Sequence, residues 1–202
     1  GTPRNDKRMM RRLIPVSVKT RIGYDNVVIE EWVKYLLEAE PATISIHGRT
    51  LKQLYGGHAD WEAIARAASI IKKTETLVLG NGDVANLADA HEKIARYGVD
   101  GVLIGRASFG NPWIFRNGTP SIQERLAVAI EHARYFEQVL PNKNFLHMRK
   151  HLGWYVSGFD GAKELRMQLM HPLVKCAADV ERISRYYASV MSAQSYDNPM
   201  TS

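Results

Sequence analysis

The sequence has a single cysteine, Cys176, among its 202 residues, and this scarcity excludes two kinds of structure. A disulfide-rich fold needs pairs of cysteines, and a thiolate zinc site needs several of them at short spacings. The histidines other than His47 lack the paired spacing of metal ligands, so we expect no metal site. No apolar run approaches the roughly 20 residues that span a bilayer. We therefore expect a cytoplasmic protein without membrane contact.

What the sequence has is the composition of a folded chain, with 45% hydrophobic and 24% charged residues. The formal net charge is +6, and positions 4–12 supply +4 of it, because five basic residues there face one acid. On charge alone, such a basic arm is a solvated surface more often than a nucleic-acid contact. The charge by itself therefore assigns no polyanionic partner.

The first half of the chain alternates short β-rich runs with amphipathic helical runs, which is typical of βα units on a parallel sheet. Past Arg116 the strand signals stop, and Ser121 with Glu124 forms a capping box before a long helical pattern. We predict an α/β domain over 1–118 and a small all-α helical bundle within 119–202. The four predicted strands cover 14–21, 42–48, 76–81 and 101–105.

Polar residues stand at or just past the carboxyl ends of all four predicted strands. They are Lys19, His47, Asn81 and the pair Gly105 and Arg106. In barrels of parallel strands this end carries the active site, so we predict a ligand site there. Any one of these residues taken singly fits a structural role equally well.

Glycine-rich segments at two of these strand ends suggest a phosphate ligand. The segment 80–83 reads GNGD after the third strand, and Gly105 with Arg106 follows the fourth. Loop N–H groups and an arginine in this position bind phosphate, although the glycines also fit simple tight turns. If the phosphate belongs to flavin mononucleotide (FMN), Lys19 stabilises the negative charge of the reduced ring. His47 then bonds either the ring or the phosphate.

Six separated segments are more specific than these patterns. They read PVSVKTR at 15–21, IHGRT at 46–50 with its continuation to Trp61, GNGD at 80–83, IGR at 104–106, GNPWIF at 110–115 and RKHLGWY at 149–155. In this order they closely resemble the tRNA-dihydrouridine synthase family, over about 15–166. The fold implied is the C-terminal half of a TIM (β/α)8 barrel followed by the helical domain.

The resemblance implies FMN-dependent reduction of uridine to 5,6-dihydrouridine in tRNA, with NADPH as the reductant. Reduced flavin would deliver hydride to C6, and a cysteine acid would protonate C5. The motifs would assign seven residues to FMN. They are Lys19, His47, Asn81, Gly82, Asp83, Gly105 and Arg106. Arg149 and Lys150 would contact tRNA, and Arg21 and Arg49 either contact RNA or form salt bridges at the barrel rim.

The departures from the family concern the first half of the barrel. The family's acid cysteine lies in that half, so we expect no catalytic residue in this chain and an inert Cys176. Four βα units cannot close a barrel, and the exposed sheet edges allow self-association. We expect an inactive fragment of a longer enzyme, with paired half-barrels or a divergent protein as alternatives. The other functions left open are an FMN-binding barrel oxidoreductase acting on a small molecule and a non-catalytic RNA-binding module.

Overall fold

The computed structural model describes residues 14–116 and 118–196, with side chains as far as Val190. The predicted basic arm at 4–12 lies outside the described residues. The chain folds as two units, and the first ends at Ile104. This division falls before the predicted boundary at 118/119, because the segment after Ile104 packs on the helical part. There the Phe109 ring stacks on Trp154, with 4.3 Å between the ring centres.

The first unit is an α/β fold whose four strands are parallel and pair in sequence order. Each predicted strand is present, and each is shorter than its predicted range. In chain order the elements are β1 (Ser17–Arg21), α1 (Ile29–Leu37), β2 (Thr43–His47), α2 (Trp61–Ile71), β3 (Leu77–Asn81), α3 (Leu87–Tyr97) and β4 (Gly101–Leu103).

The sheet separates apolar from polar side chains, because successive residues of a strand point to opposite faces. Ile44, Ile46 and Val78 are fully buried in a core with residues of α1 and α2. The register pairs Lys19 with Ser45 and Arg21 with His47, so these residues share the opposite face. The alternation of apolar and polar residues along the strands therefore buries one face and leaves the polar face for a site.

Capping residues fix where two helices of this unit begin and end. The Asp60 carboxylate accepts a hydrogen bond from the backbone N–H of Ala63, so α2 starts at Trp61. Helix α3 ends at Gly98, whose φ of +67° is the left-handed conformation that glycine adopts at helix ends. These ends set the lengths of the loops that return the chain to the sheet.

The second unit begins with two 3₁₀ turns, Arg106–Ser108 and Pro112–Arg116, and continues with four helices. The helices are α4 (Ile122–Val139), α5 (Leu146–Tyr155), α6 (Ala162–Leu169) and α7 (Ala177–Tyr196). The predicted capping box of Ser121 and Glu124 starts α4, with both of its bonds formed. The core includes residues from every helix, with Ala133, Leu152, Leu165 and Val180 fully buried. In the described part of the chain, no helix is long and apolar enough to cross a membrane.

Candidate functional site

The carboxyl edge of the parallel sheet brings the predicted strand-end residues together. Pairing places Arg21, His47, Asn81 and Leu103 in one row across the four strands. Lys19 lies two residues earlier on β1 and therefore on the same face. Its Nζ reaches the Oδ1 of Asn81 at 3.3 Å, and the Asn81 Nδ2 donates to the Leu103 carbonyl at 3.0 Å. Three predicted residues thus share one edge.

Lys19 and Arg21 are two cations at this edge, and His47 on the neighbouring strand is kept neutral. Burial and then the charge of Arg21 lower the pKa of Lys19. Burial, followed by the charges of Arg21, Lys19 and Arg49, lowers the pKa of His47 to about 4, against which Asp83 acts weakly. At neutral pH the His47 ring is therefore uncharged and offers one donor and one acceptor nitrogen.

Neither cation of this edge has a carboxylate partner within the residues that the structure describes. Lys19 bonds the neutral amide of Asn81, and the Arg21 Nη1 donates to the Thr50 carbonyl at 2.9 Å. Elsewhere in the same unit, lysines and arginines pair with acids, as Lys72 does with Asp100 at 3.1 Å. The edge therefore carries positive charge that an anionic ligand would neutralise.

The loop after β3 is held close to His47 by a glycine that no other residue can replace without strain. Gly82 has a φ of +130°, and a Cβ there would lie 2.5 Å from the Ala59 Cβ and 3.3 Å from a His47 ring carbon. The Trp61 indole N–H donates to the Gly82 carbonyl at 2.9 Å. Gly82 therefore has the turn conformation that favours glycine, and its lack of a side chain leaves the loop backbone exposed beside the His47 imidazole.

Asp83, which is partly exposed, and the buried Arg49 form an ion pair that holds two loops together. The Asp83 Oδ2 accepts from the Arg49 Nη2 at 2.7 Å and from the Ala59 N–H at 2.8 Å. The Arg49 side chain is only 3% exposed, and its Nη2 also donates to the Gly57 carbonyl. Of the two roles left open for Arg49, the structure favours the salt bridge, since a buried guanidinium is not presented to RNA.

Gly105 and Arg106, the remaining predicted cofactor residues, open the second unit. Arg106 starts the first 3₁₀ turn, and the Ser108 hydroxyl donates to the Gly105 carbonyl at 2.7 Å. Both residues are exposed, and a Cβ at Gly105 would meet no atom within 4 Å. Nothing crowds the backbone here, and the assignment of these residues to a phosphate stays a prediction.

The structure separates the two predicted RNA contacts on α5. The Arg149 Nη2 donates to the Pro172 and Val174 carbonyls at 2.7 and 3.3 Å, so this guanidinium anchors the segment before α7. Lys150 is exposed. Cys176, also in the second unit, points its Sγ at the Asp179 carboxylate at 3.4 Å.

Sequence reasoning missed a groove of about 640 Å³ along β1, next to Lys19 and Arg21. Its walls include Tyr24 and Trp32, which are 62% and 45% exposed. The Trp32 indole N–H donates to the Thr20 hydroxyl at 3.1 Å. The sequence patterns singled out neither Trp32 nor Tyr24 as a site residue.

Comparison with known proteins decides the family. The family model described as dihydrouridine synthase (Dus) matches residues 7–185. The chain belongs to the dihydrouridine synthase family. A probable tRNA-dihydrouridine synthase of Rickettsia conorii is 34% identical over 198 residues, which cover 88% of this chain and 57% of that protein. A probable tRNA-dihydrouridine synthase 1 of Synechocystis is 35% identical over 170 residues, or 77% of this chain and 47% of the relative.

A third relative extends the comparison to another bacterial group. The probable tRNA-dihydrouridine synthase of Mycobacterium tuberculosis is 35% identical over 173 residues, which cover 77% of this chain and 43% of that protein. The chain spans about half the length of the curated relatives it matches. Membership of the dihydrouridine synthase family confirms the resemblance drawn from the six sequence motifs.

Proposed function

We propose that this chain carries the FMN-binding part of a tRNA-dihydrouridine synthase, built as part of a TIM barrel. The reaction is reduction of uridine in tRNA to 5,6-dihydrouridine, with NADPH as the reductant. The observation that supports this most is the pair of cations, Lys19 and Arg21, left without carboxylates at the carboxyl edge of a parallel sheet. In barrels of parallel strands, this edge is where ligands bind.

The residues present fit an anionic flavin. The ammonium of Lys19, the guanidinium of Arg21 and the amide of Asn81 are donors on one face of neighbouring strands. Gly82 leaves a bare backbone beside His47, where a side chain would intrude. An aromatic ring system with a negatively charged tail matches both the donors and the exposed aromatic wall of the nearby groove.

Each residue of the edge has a distinct role in this proposal. Lys19 holds a positive charge where negative charge grows as the ring is reduced, and Asn81 fixes the position of that ammonium. His47, neutral at physiological pH, donates one hydrogen bond without adding a third positive charge. When bound, FMN supplies the hydride chemistry. Asp83 acts through Arg49, by holding the Gly82 loop in place.

We further propose that the chain alone produces no dihydrouridine. Its one thiol, Cys176, lies in the second unit and donates to the Asp179 carboxylate. None of the six motifs shared with the family includes Cys176, and the family's acid cysteine lies in the other half of the barrel. We therefore assign Cys176 no role in uracil protonation.

Titration of the purified chain with FMN, followed by the loss of flavin fluorescence, tests the flavin assignment. We expect binding, weakened about tenfold to a hundredfold in Arg21→Gln or Arg106→Ala, because each removes a charge-assisted contact. Lys34→Met on α1 removes an exposed charge and should bind FMN like the unaltered chain. Equal affinities for Arg21→Gln, Arg106→Ala and Lys34→Met would reject the proposed phosphate and ring contacts.

The role of Lys19 calls for a measurement of reduction as well as binding. Lys19→Met should lower the flavin's reduction potential and slow its reduction, while affecting the affinity for oxidised FMN less. Lost binding with a normal potential in the remaining complex would contradict the role. Incubation with unmodified tRNA, FMN and NADPH should yield no dihydrouridine, and product that disappears in Cys176→Ala would overturn the expectation of inactivity.

A tRNA titration over a series of salt concentrations separates the competing functions. A tRNA-modifying protein should bind tRNA with an affinity that falls as salt rises. FMN binding without tRNA binding would favour a small-molecule oxidoreductase. Binding of tRNA without FMN would favour an RNA-binding module.

A further inference from the structure

Within the second unit, a polar pocket of about 380 Å³ lies between the 3₁₀ turns, the start of α4 and the end of α5. We propose that this pocket binds one nucleotide of an RNA chain, with its phosphate on Arg125, its ribose 2′-hydroxyl on Asn111 and its base on Phe109. The choice of RNA rests on the proposed function. The volume of the pocket is within the range of roughly 300 to 1,000 Å³ that is typical of small-ligand sites.

Arg125 is a fixed cation that lacks a counter-charge in the part of the chain that the structure describes. Its Nη1 donates to the Ser157 carbonyl at 2.9 Å and its Nη2 to the Ser157 hydroxyl at 3.2 Å. The guanidinium carbon lies 5.6 Å from the centre of the Phe159 ring. All of these partners are uncharged, and burial lowers the pKa of Arg125. An anion in the pocket would supply the missing charge.

Three other arginines of this unit pair with acids. On α4, Arg134 pairs with Glu181. On α7, Arg182 pairs with Asp179 at 3.3 Å and Arg185 pairs with Glu181 at 2.6 Å. Arg125 therefore differs from these three arginines in having only neutral partners among the described residues, and unlike Arg149, which also bonds carbonyls only, it lines the pocket. Guanidinium groups of this kind bind phosphate with paired N–H donors.

Asn111 adds an acceptor that needs a donor. Its Oδ1 is buried, and no residue that the structure describes donates a hydrogen bond to it; a buried acceptor left in this way costs about 1–3 kcal/mol. A phosphate oxygen cannot satisfy it, because a phosphate diester has no proton to donate. A ribose 2′-hydroxyl can, and this hydroxyl distinguishes RNA from DNA.

Two stacked aromatic rings, Phe109 and Trp154, also line the pocket. Phe109 lies on Trp154 with 4.3 Å between ring centres and 14° between planes, and Phe109 is still 48% exposed. One face of Phe109 is covered, so the other is available to a base, and such stacking tolerates any base. Gly158, also in the lining, has open space where a Cβ would stand, so nothing blocks the entrance on that side.

Fluorescence anisotropy with a labelled single-stranded oligouridylate and its 2′-deoxy counterpart tests the proposal. The unaltered chain should bind the RNA more tightly than the DNA. Arg125→Gln should weaken both about tenfold and lower the salt dependence by about one phosphate contact. Arg134→Gln, on the same helix but paired with an acid, is the matched control and should change both affinities much less.

Asn111→Leu should remove the preference for RNA and leave the affinity for DNA unchanged. If Asn111→Leu fails to fold, the affinities of the unaltered chain for the RNA and the DNA probe still test whether the 2′-hydroxyl contributes to binding. Equal binding of the two probes by the unaltered chain, or equal effects of Arg125→Gln and Arg134→Gln, would overturn the proposal. Competition by inorganic phosphate as strong as that by uridylate would show a simple anion site and would also overturn it.

The flavin titration on the same preparations keeps this proposal separate from the proposed function. Arg125 and Asn111 have no role in the FMN assignment, so their variants should bind FMN normally. If the unaltered chain does not bind FMN but still prefers RNA to DNA, this result would contradict the flavin function alone. FMN binding with no RNA preference would contradict the pocket alone.

Discussion

Each unit has cations without a carboxylate partner among the described residues, and the two units carry them on different secondary-structure elements. In the first unit, Lys19 and Arg21 sit two residues apart on one strand, so the backbone fixes their separation and direction. In the second unit, Arg125 stands on a helix and is oriented by a single serine of a distant loop. A strand therefore offers a row of positive charge suited to an extended ligand, whereas the helix offers one guanidinium suited to one phosphate.

The same contrast holds for the contacts that keep each site in shape. The first unit relies on an ion pair between the buried Arg49 and the partly exposed Asp83 to join two loops. The second relies on a close backbone approach, because Gly110 packs where a Cβ would lie 2.3 Å from the Trp154 carbonyl atoms. Removing charge should therefore damage the first site more, and adding bulk should damage the second more.

The largest effect is expected from Gly110→Ala. Its φ of +65° disfavours alanine, and the new methyl would overlap the backbone of Trp154, so we expect a loss of about 4 kcal/mol in the free energy of unfolding. Urea unfolding followed by circular dichroism measures the loss, and hydrogen exchange assigns it to the second unit.

Gly98→Ala is the control for Gly110. Gly98 also has a left-handed φ, of +67°, but no atom lies within 4 Å of its Cβ position. We expect a loss of only about 1 kcal/mol, from the backbone conformation alone. Similar losses for the two alanines would mean that the contact with Trp154 contributes nothing.

Asp83→Asn should come next, with a loss of about 3 kcal/mol from the first unit. It leaves the Arg49 guanidinium buried without its counter-charge, and breaking one side of a buried pair is costly. Glu181→Gln removes an acid that pairs with exposed arginines in the second unit and should leave the unfolding midpoint unchanged. A larger loss from Glu181→Gln than from Asp83→Asn would reverse our comparison.

Loss of a helix cap should cost the two units equally. Ser121→Ala removes the cap of α4, and Asn86→Ala removes the side chain that accepts from the Asp89 N–H at the start of α3. We expect about 1 kcal/mol for each, measured by urea unfolding. Hydrogen exchange should show each loss confined to the first turn of its own helix, and spreading into the other unit would contradict the division after Ile104.

The smallest effect concerns pH and His47. Its pKa of about 4 lies below the ordinary 6.5, so the unfolded chain binds more protons between these values. The first unit should therefore lose stability as pH falls from about 6.5 to about 4. Because the ring is only partly buried, we expect less than about 1 kcal/mol. Unfolding of the unaltered chain and of His47→Gln at several pH values measures the difference.

An NMR titration of the His47 ring checks the cause of its low pKa. Arg21 is the largest charge acting on His47 after burial, so Arg21→Gln should raise this pKa towards 6.5. Lys34→Met, which removes an exposed charge from α1, should not move it. An unchanged pKa in Arg21→Gln would show that the Arg21 charge does not contribute and would leave burial, Lys19 and Arg49 as the causes.

Local patterns predicted the parts of this molecule that depend on local physics. The alternation around Ile44 and Ile46 predicted β2 and its buried face, and Asp60 and Gly98 predicted helix ends, because capping acts within a few residues. The meeting of Lys19 with Asn81 followed as well, since parallel strands align their carboxyl ends. Strand spacing therefore carries site information over 62 residues of sequence.

The rest depends on contacts that no spacing encodes. The sequence leaves Arg49 open between an RNA contact and a salt bridge, and it predicts an RNA contact for Arg149. In the fold Arg49 bonds Asp83 and the Gly57 carbonyl, and Arg149 bonds the Pro172 carbonyl. The pocket around Arg125 joins residues from a turn, a helix start and a helix end, and each of these is ordinary by itself. Such a site becomes visible only when the helices are packed.

The two-residue repeat of β1 also limits how this chain can change in evolution. Adding or deleting one residue within Ser17–Arg21 would turn Lys19 and Arg21 towards the apolar core and bring Val18 to the ligand face. Length changes inside this strand are therefore tolerated only in pairs. Mutational scanning of single-residue insertions should find β1 intolerant and the loop between β1 and α1 more permissive. The pattern of tolerated insertions would then show which strand face carries the ligand-binding residues.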